Sequence, residues 1–364
     1  MKTMKLICIL TVLLVTAGCS KDYLQTKPTD AASTETIFSD TKNAALAING
    51  LAKMMTNQYL SSQGFNGEGT IKMYYGNYPG ADFYVNLPGW AAIINATYNE
   101  LSTSIYCYYP WYYYYKIIGN ANTIIAQIDN ATGTQPERDY IKAQALTYRA
   151  YCYMMLLQLY GNRWDDSNGG ATKAVALRID ESTGDIPRSS LLECYNQIYK
   201  DLDDALSLYN SSGQNRPSGK NYEVNKDVAN AVYARAALNR KDYPKAESHA
   251  KAARASYPLM SVTAYKEGFA NPTSEWIWSS HGGSDETLYF YAYHAYIAYN
   301  STASAVRTYP KCMNKLLFAK IPATDIRKSL FLDPTGYTYN TGTGQAGSAL
   351  AAHGRTLYPA IQPN

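Results

Sequence analysis

The stretch from Pro136 to Leu159 constrains the fold most. Ile141, Ala145, Tyr148, Cys152, Met155 and Leu159 recur at intervals of three and four residues, which sets them in one stripe along a helix. Pro136 followed by Glu137 suits a first turn, and Gly161 supplies the stop. Such a stripe must be covered by other elements, and the residues that follow provide them. Ser190 with Glu193 three positions later is a capping-box pattern. Leu191, Tyr195, Ile198, Leu202, Ala205 and Leu208 continue it as a second stripe. A third helix is predicted from about Lys226 to Asn239, and a fourth after Tyr243-Pro244 with Ala246, Ala250 and Ala253. Two earlier helices are predicted from Glu35 to Gln58 and from Pro110 to Asp129. In the latter, Trp111, Tyr115, Ile118, Asn122 and Ile125 share a face. Tyr112, Tyr113, Tyr114 and Tyr115 cannot all face inward on one helix, so some are expected at an interface.

The third and fourth helices read NAVYARAALNRKDYPKAESHAKAA. Small Ala residues at packing points and an Asp-Tyr turn resemble a tetratricopeptide repeat, in which neighbouring helix pairs stack to bury their outer faces. Between the two earliest helices lies GFNGEGTIKMYYGNYPGADFYVNLPGW, where Pro79, Gly80, Pro88 and Gly89 break regular structure. A second segment of this kind contains EWIWSSHGG and then LYFYAYHAYIAY. Tyr289, Tyr291 and Tyr293 alternate there with a strand-like period of two, and Glu275-Trp276-Ile277-Trp278 reads as a short buried strand. The fold class expected is mainly α: tetratricopeptide-like helix pairs in an α/α superhelix over 35–58 and 110–256. Irregular aromatic-rich insertions fall at 59–109 and 271–310, and an irregular end at 335–364.

Composition enters through tyrosine. There are 36 Tyr against 7 Phe and 5 Trp, and a chain needing only bulky core residues has no reason to prefer the hydroxyl. Tyr offers an apolar face with a wet tip, which suits interfaces and polar ligands. Tyr148, Tyr195 and Tyr233 sit on stripes or between repeats and are assigned to the core. A formal charge of +4 over 364 residues gives no basis for a nucleic-acid partner.

The amino terminus gives an address. Lys2 and Lys5 precede an apolar run from Leu6 to Val15, which as a helix spans about 15 Å, half a bilayer core. Residues 1–18 therefore read as an export signal. The Ala17-Gly18-Cys19 ending resembles a bacterial lipoprotein signal, which implies acylation at Cys19, with 19–34 as tether; Thr16 departs from the usual Leu. Cys107, Cys152, Cys194 and Cys312 remain, without CxxC spacing, and are expected as free thiols.

These pieces, in this order, resemble the SusD/RagB family of nutrient-binding lipoproteins of the Bacteroidetes outer membrane. The resemblance rests on Asp22-Tyr23-Leu24, Pro28-Thr29, Asn122, KAQALTYRAYCYMMLLQLYGN, IPRSSLLECYNQIYKDLDDAL and DVANAVYARAALNRKDYPKAESHAKAA. It continues through Tyr257-Pro258-Leu259, the Asn271 and Glu275 pair and Asp325-Ile326-Arg327. It implies a SusD-like helical domain over 35–364, lipid-anchored at the cell surface in the outer membrane. One face would dock on a SusC-like, TonB-dependent transporter, and the insertions would form the ligand face. Arg163-Trp164 replaces the family's small-apolar continuation after Leu-Tyr-Gly. The family also continues through an Arg-Leu-Ala-Glu-type helix that does not follow Arg327, so the chain is expected to be one helix pair short.

No binding motif can be carried over by position, so candidate ligand residues come from chemistry. A sugar ring has one apolar face and a rim of hydroxyls; aromatic plates take the first and polar side chains the second. The candidates are Tyr74, Tyr75, Tyr78, Asp82, Tyr84 and Trp90 in the first insertion, with Tyr289 and Tyr291 in the second. No catalytic residues, cofactor or metal site are expected. His249, His281, His294 and His353 lack ligand spacing, no nucleophile or phosphate motif appears, and Asp203-Asp204 reads as a solvated face. Three functions stay open: an oligosaccharide-binding subunit, the same module tuned to peptides or another nutrient, and a purely structural repeat protein.

Overall fold

The computed structural model describes residues 33–57, 65–77, 79–85, 95, 97, 103–267, 272–280, 311–331, 339–340 and 345–346. In these, α1 (Thr34–Ile37), α2 (Thr41–Met54) and α3 (Gly67–Lys72), which runs on as a π-helical turn over Met73–Asn77, precede a short strand, β1 (Phe83–Val85). Two long helices follow, α4 (Ile105–Gln127) and α5 (Gln135–Tyr160). A hairpin of β2 (Lys173–Ala176) and β3 (Arg188–Ser190) leads into α6 (Leu191–Ser212), then α7 (Lys226–Asn239) and α8 (Tyr243–Arg254). After α9 (Val262–Lys266), strand β4 (Lys311–Met313) pairs antiparallel with β1, and α10 (Lys315–Lys320) follows. The chain is mainly helical, and its helices associate as successive pairs, α4 with α5, α5 with α6, and α7 with α8. The signal at 1–18 and Cys19 lie outside the described residues, as do 281–310 and 347–364.

Helix α5 is the axis of the body. Thr134 Oγ1 accepts from the Glu137 N–H at 3.4 Å and Glu137 Oε2 accepts from the Thr134 N–H at 2.9 Å, a closed capping box. Thr41 Oγ1 donates to the same oxygen at 3.0 Å, which ties the start of α2 to the start of α5. Every residue from Ala143 to Leu157 is buried, so the single predicted stripe was too narrow. Helices α2, α4, α6 and α7 surround α5, and a helix enclosed on all sides needs small or apolar residues all round. Its buried arginine is paired. Arg149 donates bidentately to Asp201 at 2.8 and 2.6 Å, and to Asn122 Oδ1 at 2.9 Å. Gln197 Nε2 completes that site by donating to Asp201 Oδ1 at 2.7 Å.

Helix pair α7–α8 follows the expected bounds. Ala229, Ala236, Ala237, Ala246 and Ala253 are buried, and Lys241 takes a left-handed φ of 62° in the turn between the helices. Tyr148, Tyr195 and Tyr233 lie in the core as expected, and Cys107, Cys152 and Cys194 are free thiols.

Two predicted helices have different bounds. The one expected over 35–58 is broken after Ile37, because Asp40 caps a new start with Oδ1 accepting from the Asn43 N–H at 2.8 Å. The one expected to open at Pro110 opens at Ile105, capped by Ser104, and contains Pro110 within it. Proline has no N–H for the carbonyl four residues back and its ring crowds that carbonyl. Here the Tyr75 hydroxyl donates to the orphaned Tyr106 carbonyl. The Tyr160 hydroxyl sits between the next ladder partners, donating to the Cys107 carbonyl at 2.7 Å and accepting from the Trp111 N–H at 3.0 Å. Of the four consecutive tyrosines, Tyr113 and Tyr114 are buried while Tyr112 and Tyr115 are half-buried against the core. Glu275-Trp276-Ile277-Trp278 forms no strand. It is irregular and half-buried, held by Arg216 donating to the Ile277 carbonyl at 2.6 Å and by the Ser279 N–H donating to the Asn221 carbonyl at 3.0 Å.

Candidate functional site

Helix α7 turns Val228, Ala231, Val232 and Arg235 to one side at intervals of three and four residues. With them stand the irregular stretch Glu275–Trp278, Met260 and Tyr265, and the buried Tyr151 of α5 at the base. Together they line an open cleft of about 460 Å³, within the range of small-ligand sites. Glu275 fixes the wall, since its Oε2 accepts from the Met260 N–H at 2.9 Å. Trp278 meets Tyr148 and Tyr151 edge to face, with centroids 6.0 and 5.0 Å apart, and its indole N–H donates to the Tyr222 carbonyl at 3.3 Å.

The base is wired to the first insertion. Glu68, buried at the start of α3, accepts from the Tyr114 hydroxyl at 3.0 Å and from the Tyr151 hydroxyl, and pairs with Lys72 at 3.0 Å. Burial first, and then the Glu68 carboxylate, hold the Tyr114 and Tyr151 phenols well above their usual range, so both remain neutral donors. The cleft thus combines aromatic rings, an arginine and a carboxylate, which suits a polar ligand with an apolar face. Among the described residues no group of three or more His, Cys, Asp or Glu is placed to hold a metal ion. No described helix is long and apolar enough to cross a membrane. His249 stacks on Tyr233 with centroids 3.9 Å apart, its Nδ1 lies 2.8 Å from Asn230 Oδ1, and burial pushes its imidazole pKa down.

The candidate ligand residues are not gathered in this cleft. Tyr74 is 1% exposed and packs edge to face on Phe65 and Tyr106, so the expectation that it offers a plate is corrected: its ring fills the core beneath the insertion. Tyr75 is half-buried, with its hydroxyl committed to the notch in α4. Asp82 is exposed, and its carbonyl accepts from the Asn314 N–H at 2.9 Å. Tyr84 stands opposite Cys312 in the β1–β4 ribbon. Tyr78, Trp90, Tyr289 and Tyr291 lie outside the described residues. Arg235, Tyr265 and Glu275 line the cleft and are not among the candidates read from the sequence. The one signal for them was a charge continuing the Val228–Val232 face of α7, which reads equally well as a solvated helix edge.

The sequence model of a SusD-like family, described as starch-binding and associating with the outer membrane, matches residues 22–238. A solved SusD-like carbohydrate binding protein from Bacteroides vulgatus is 25% identical with a TM-score of 0.67, over 80% of this chain and 60% of its own. A SusD superfamily protein from Bacteroides thetaiotaomicron is 22% identical with a TM-score of 0.70, over 84% of this chain and 66% of its own. One from Bacteroides fragilis is 17% identical with a TM-score of 0.65, over 89% and 76%. The chain thus spans less than two thirds of the length of the first two. No curated protein matches it.

Proposed function

This chain belongs to the SusD-like family, and from that premise we propose that it is a surface-exposed, glycan-binding lipoprotein of the outer membrane. In this reading it captures oligosaccharides and hands them to a SusC-like, TonB-dependent transporter, without catalysis. Acyl chains on Cys19 hold it at the membrane, since more than one chain gives stable anchoring.

The cleft supports this reading best. Trp276, Trp278 and Tyr265 stand beside Arg235 and Glu275 around about 460 Å³, the pairing of rings and polar groups that sugars require. Asp82 and Tyr84, with Tyr78, Trp90, Tyr289 and Tyr291, are proposed as further contacts along a longer chain of sugar units. Titration calorimetry of the chain against a panel of oligosaccharides is expected to give saturable heat on at least one member. Absence of heat on every member, from a sample with intact helical circular dichroism, overturns the reading. Trp276→Ala is expected to weaken binding about tenfold or more, a loss of stacking worth about 0.5–1.5 kcal/mol plus buried area.

A further inference from the structure

Arg235 stands out in the cleft wall. Its side chain is exposed, and among the described residues no Asp or Glu lies within ion-pair distance of it. Among the described residues its polar contact is a weak one, with Nη2 at 3.9 Å from Met155 Sδ. The guanidinium is close enough to the cleft base to pull against the burial that raises the Tyr151 phenol. Other arginines of the body are used differently. Arg149 is bidentate to Asp201, Arg216 holds two loops together, and Arg188 donates to the carbonyls of β2. Arg235 alone in this group presents its planar fork to a cavity.

We propose that the cleft binds an acidic sugar unit, a uronic acid, with the Arg235 guanidinium paired to its carboxylate and Glu275 accepting from its hydroxyls. The proposal rests on the carbohydrate-binding reading above and narrows it to one class. A planar carboxylate matches the guanidinium fork in two parallel bonds, which a neutral hydroxymethyl group cannot do. Glu275 is positioned for the second role, since one oxygen is fixed by the Met260 N–H and Oε1 remains as an acceptor. Trp276, Trp278 and Tyr265 take the apolar ring face.

The test uses the full chain and two probes, a short oligogalacturonide and a short oligoglucuronide, each also as its methyl ester. The ester keeps the sugar and removes the charge. By titration calorimetry at least one acid is expected to bind about tenfold tighter than its ester, with the difference shrinking as salt rises. Arg235→Gln is expected to abolish that ratio, weakening the acid about tenfold more than the ester, with the thermal midpoint unchanged because the side chain is exposed. Equal affinity for acid and ester, or a ratio that survives R235Q, overturns the proposal. If neither acid binds while a neutral oligosaccharide does, the acidic class is wrong and the glycan-binding reading stands. If no oligosaccharide binds to a folded sample, both fall.

Discussion

In the helical body several buried tyrosines are placed by the hydroxyl as much as by the ring, whereas the hydroxyls of Tyr140 and Tyr148 meet no partner among the described residues. Tyr109 donates to the Gly67 carbonyl at 2.9 Å, Tyr153 to the Arg178 carbonyl at 2.5 Å, and Tyr114 to Glu68 at 3.0 Å. Each satisfies an acceptor that would otherwise cost free energy, and each joins α4 or α5 to another segment, the start of α3 or the irregular chain after β2. In the cleft wall the same residue class is arranged differently. Tyr265 and Trp276 are half-buried beside an arginine and a carboxylate with solvent access. The contrast separates two uses of aromatic surplus. Enclosed hydroxyls that find a partner connect segments of the body, whereas the half-buried rings beside Arg235 and Glu275 are the proposed ligand surface.

If that division holds, substitutions in the body cost stability and those in the cleft cost binding. The largest expected effect is at Asp201. Asp201→Ala leaves Arg149 buried without its charge partner and is expected to lower stability by about 3–5 kcal/mol in chemical denaturation. Tyr160→Phe comes next. It removes one ring oxygen yet strands the Cys107 carbonyl and the Trp111 N–H, at a cost of about 1–3 kcal/mol by the same measurement. An unchanged midpoint for Y160F would break the connector argument.

A smaller effect is expected from the two capping boxes. Hydrogen bonds from the backbone N–H groups of Thr134 and Ser190 hold the Glu137 and Glu193 carboxyls below their usual value. Because the folded value is depressed, the stabilisation is present above the unfolded value of about 4.3 and is lost as pH falls through the folded one. An acid titration followed by circular dichroism is expected to be flatter for the Glu137→Gln, Glu193→Gln double variant. Smallest of all is Arg235→Gln in the cleft, within about 0.5 kcal/mol of the parent, so that a binding defect there reads as lost recognition.

The sequence reveals most where structure is local. The capping box at Ser190, the bounds of α7 and the length of α5 follow from spacing alone, because turn geometry and stripe period are written in adjacent residues. The notch in α4 is not local. Pro110 reads as a helix start because nothing nearby announces that Tyr160 and Tyr75, 50 and 35 positions away, meet the orphaned groups. The buried acid of α6 is illegible for a similar reason. Asp203-Asp204 is conspicuous in sequence, yet Asp201 is the buried one, because its place on the α5-facing side meets an arginine from another helix. The cleft needs four separated segments, and only α7 carries any pattern toward it.

The notch also works as an indexing pin. A helix packed on its neighbour by apolar side chains alone can slide by a turn, about 5.4 Å, and find similar grooves again. Helix α4 cannot do so cheaply. One turn of slip carries the Tyr160 oxygen away from both the carbonyl and the amide it bridges, so a single axial setting of α4 on α5 satisfies all three groups. Tyr114 on α4 and Tyr151 on α5 must reach the same Glu68 oxygen, and that shared reach is possible only in this setting. A proline usually counted as a flaw in a helix thus fixes the register that aligns the base of the cleft.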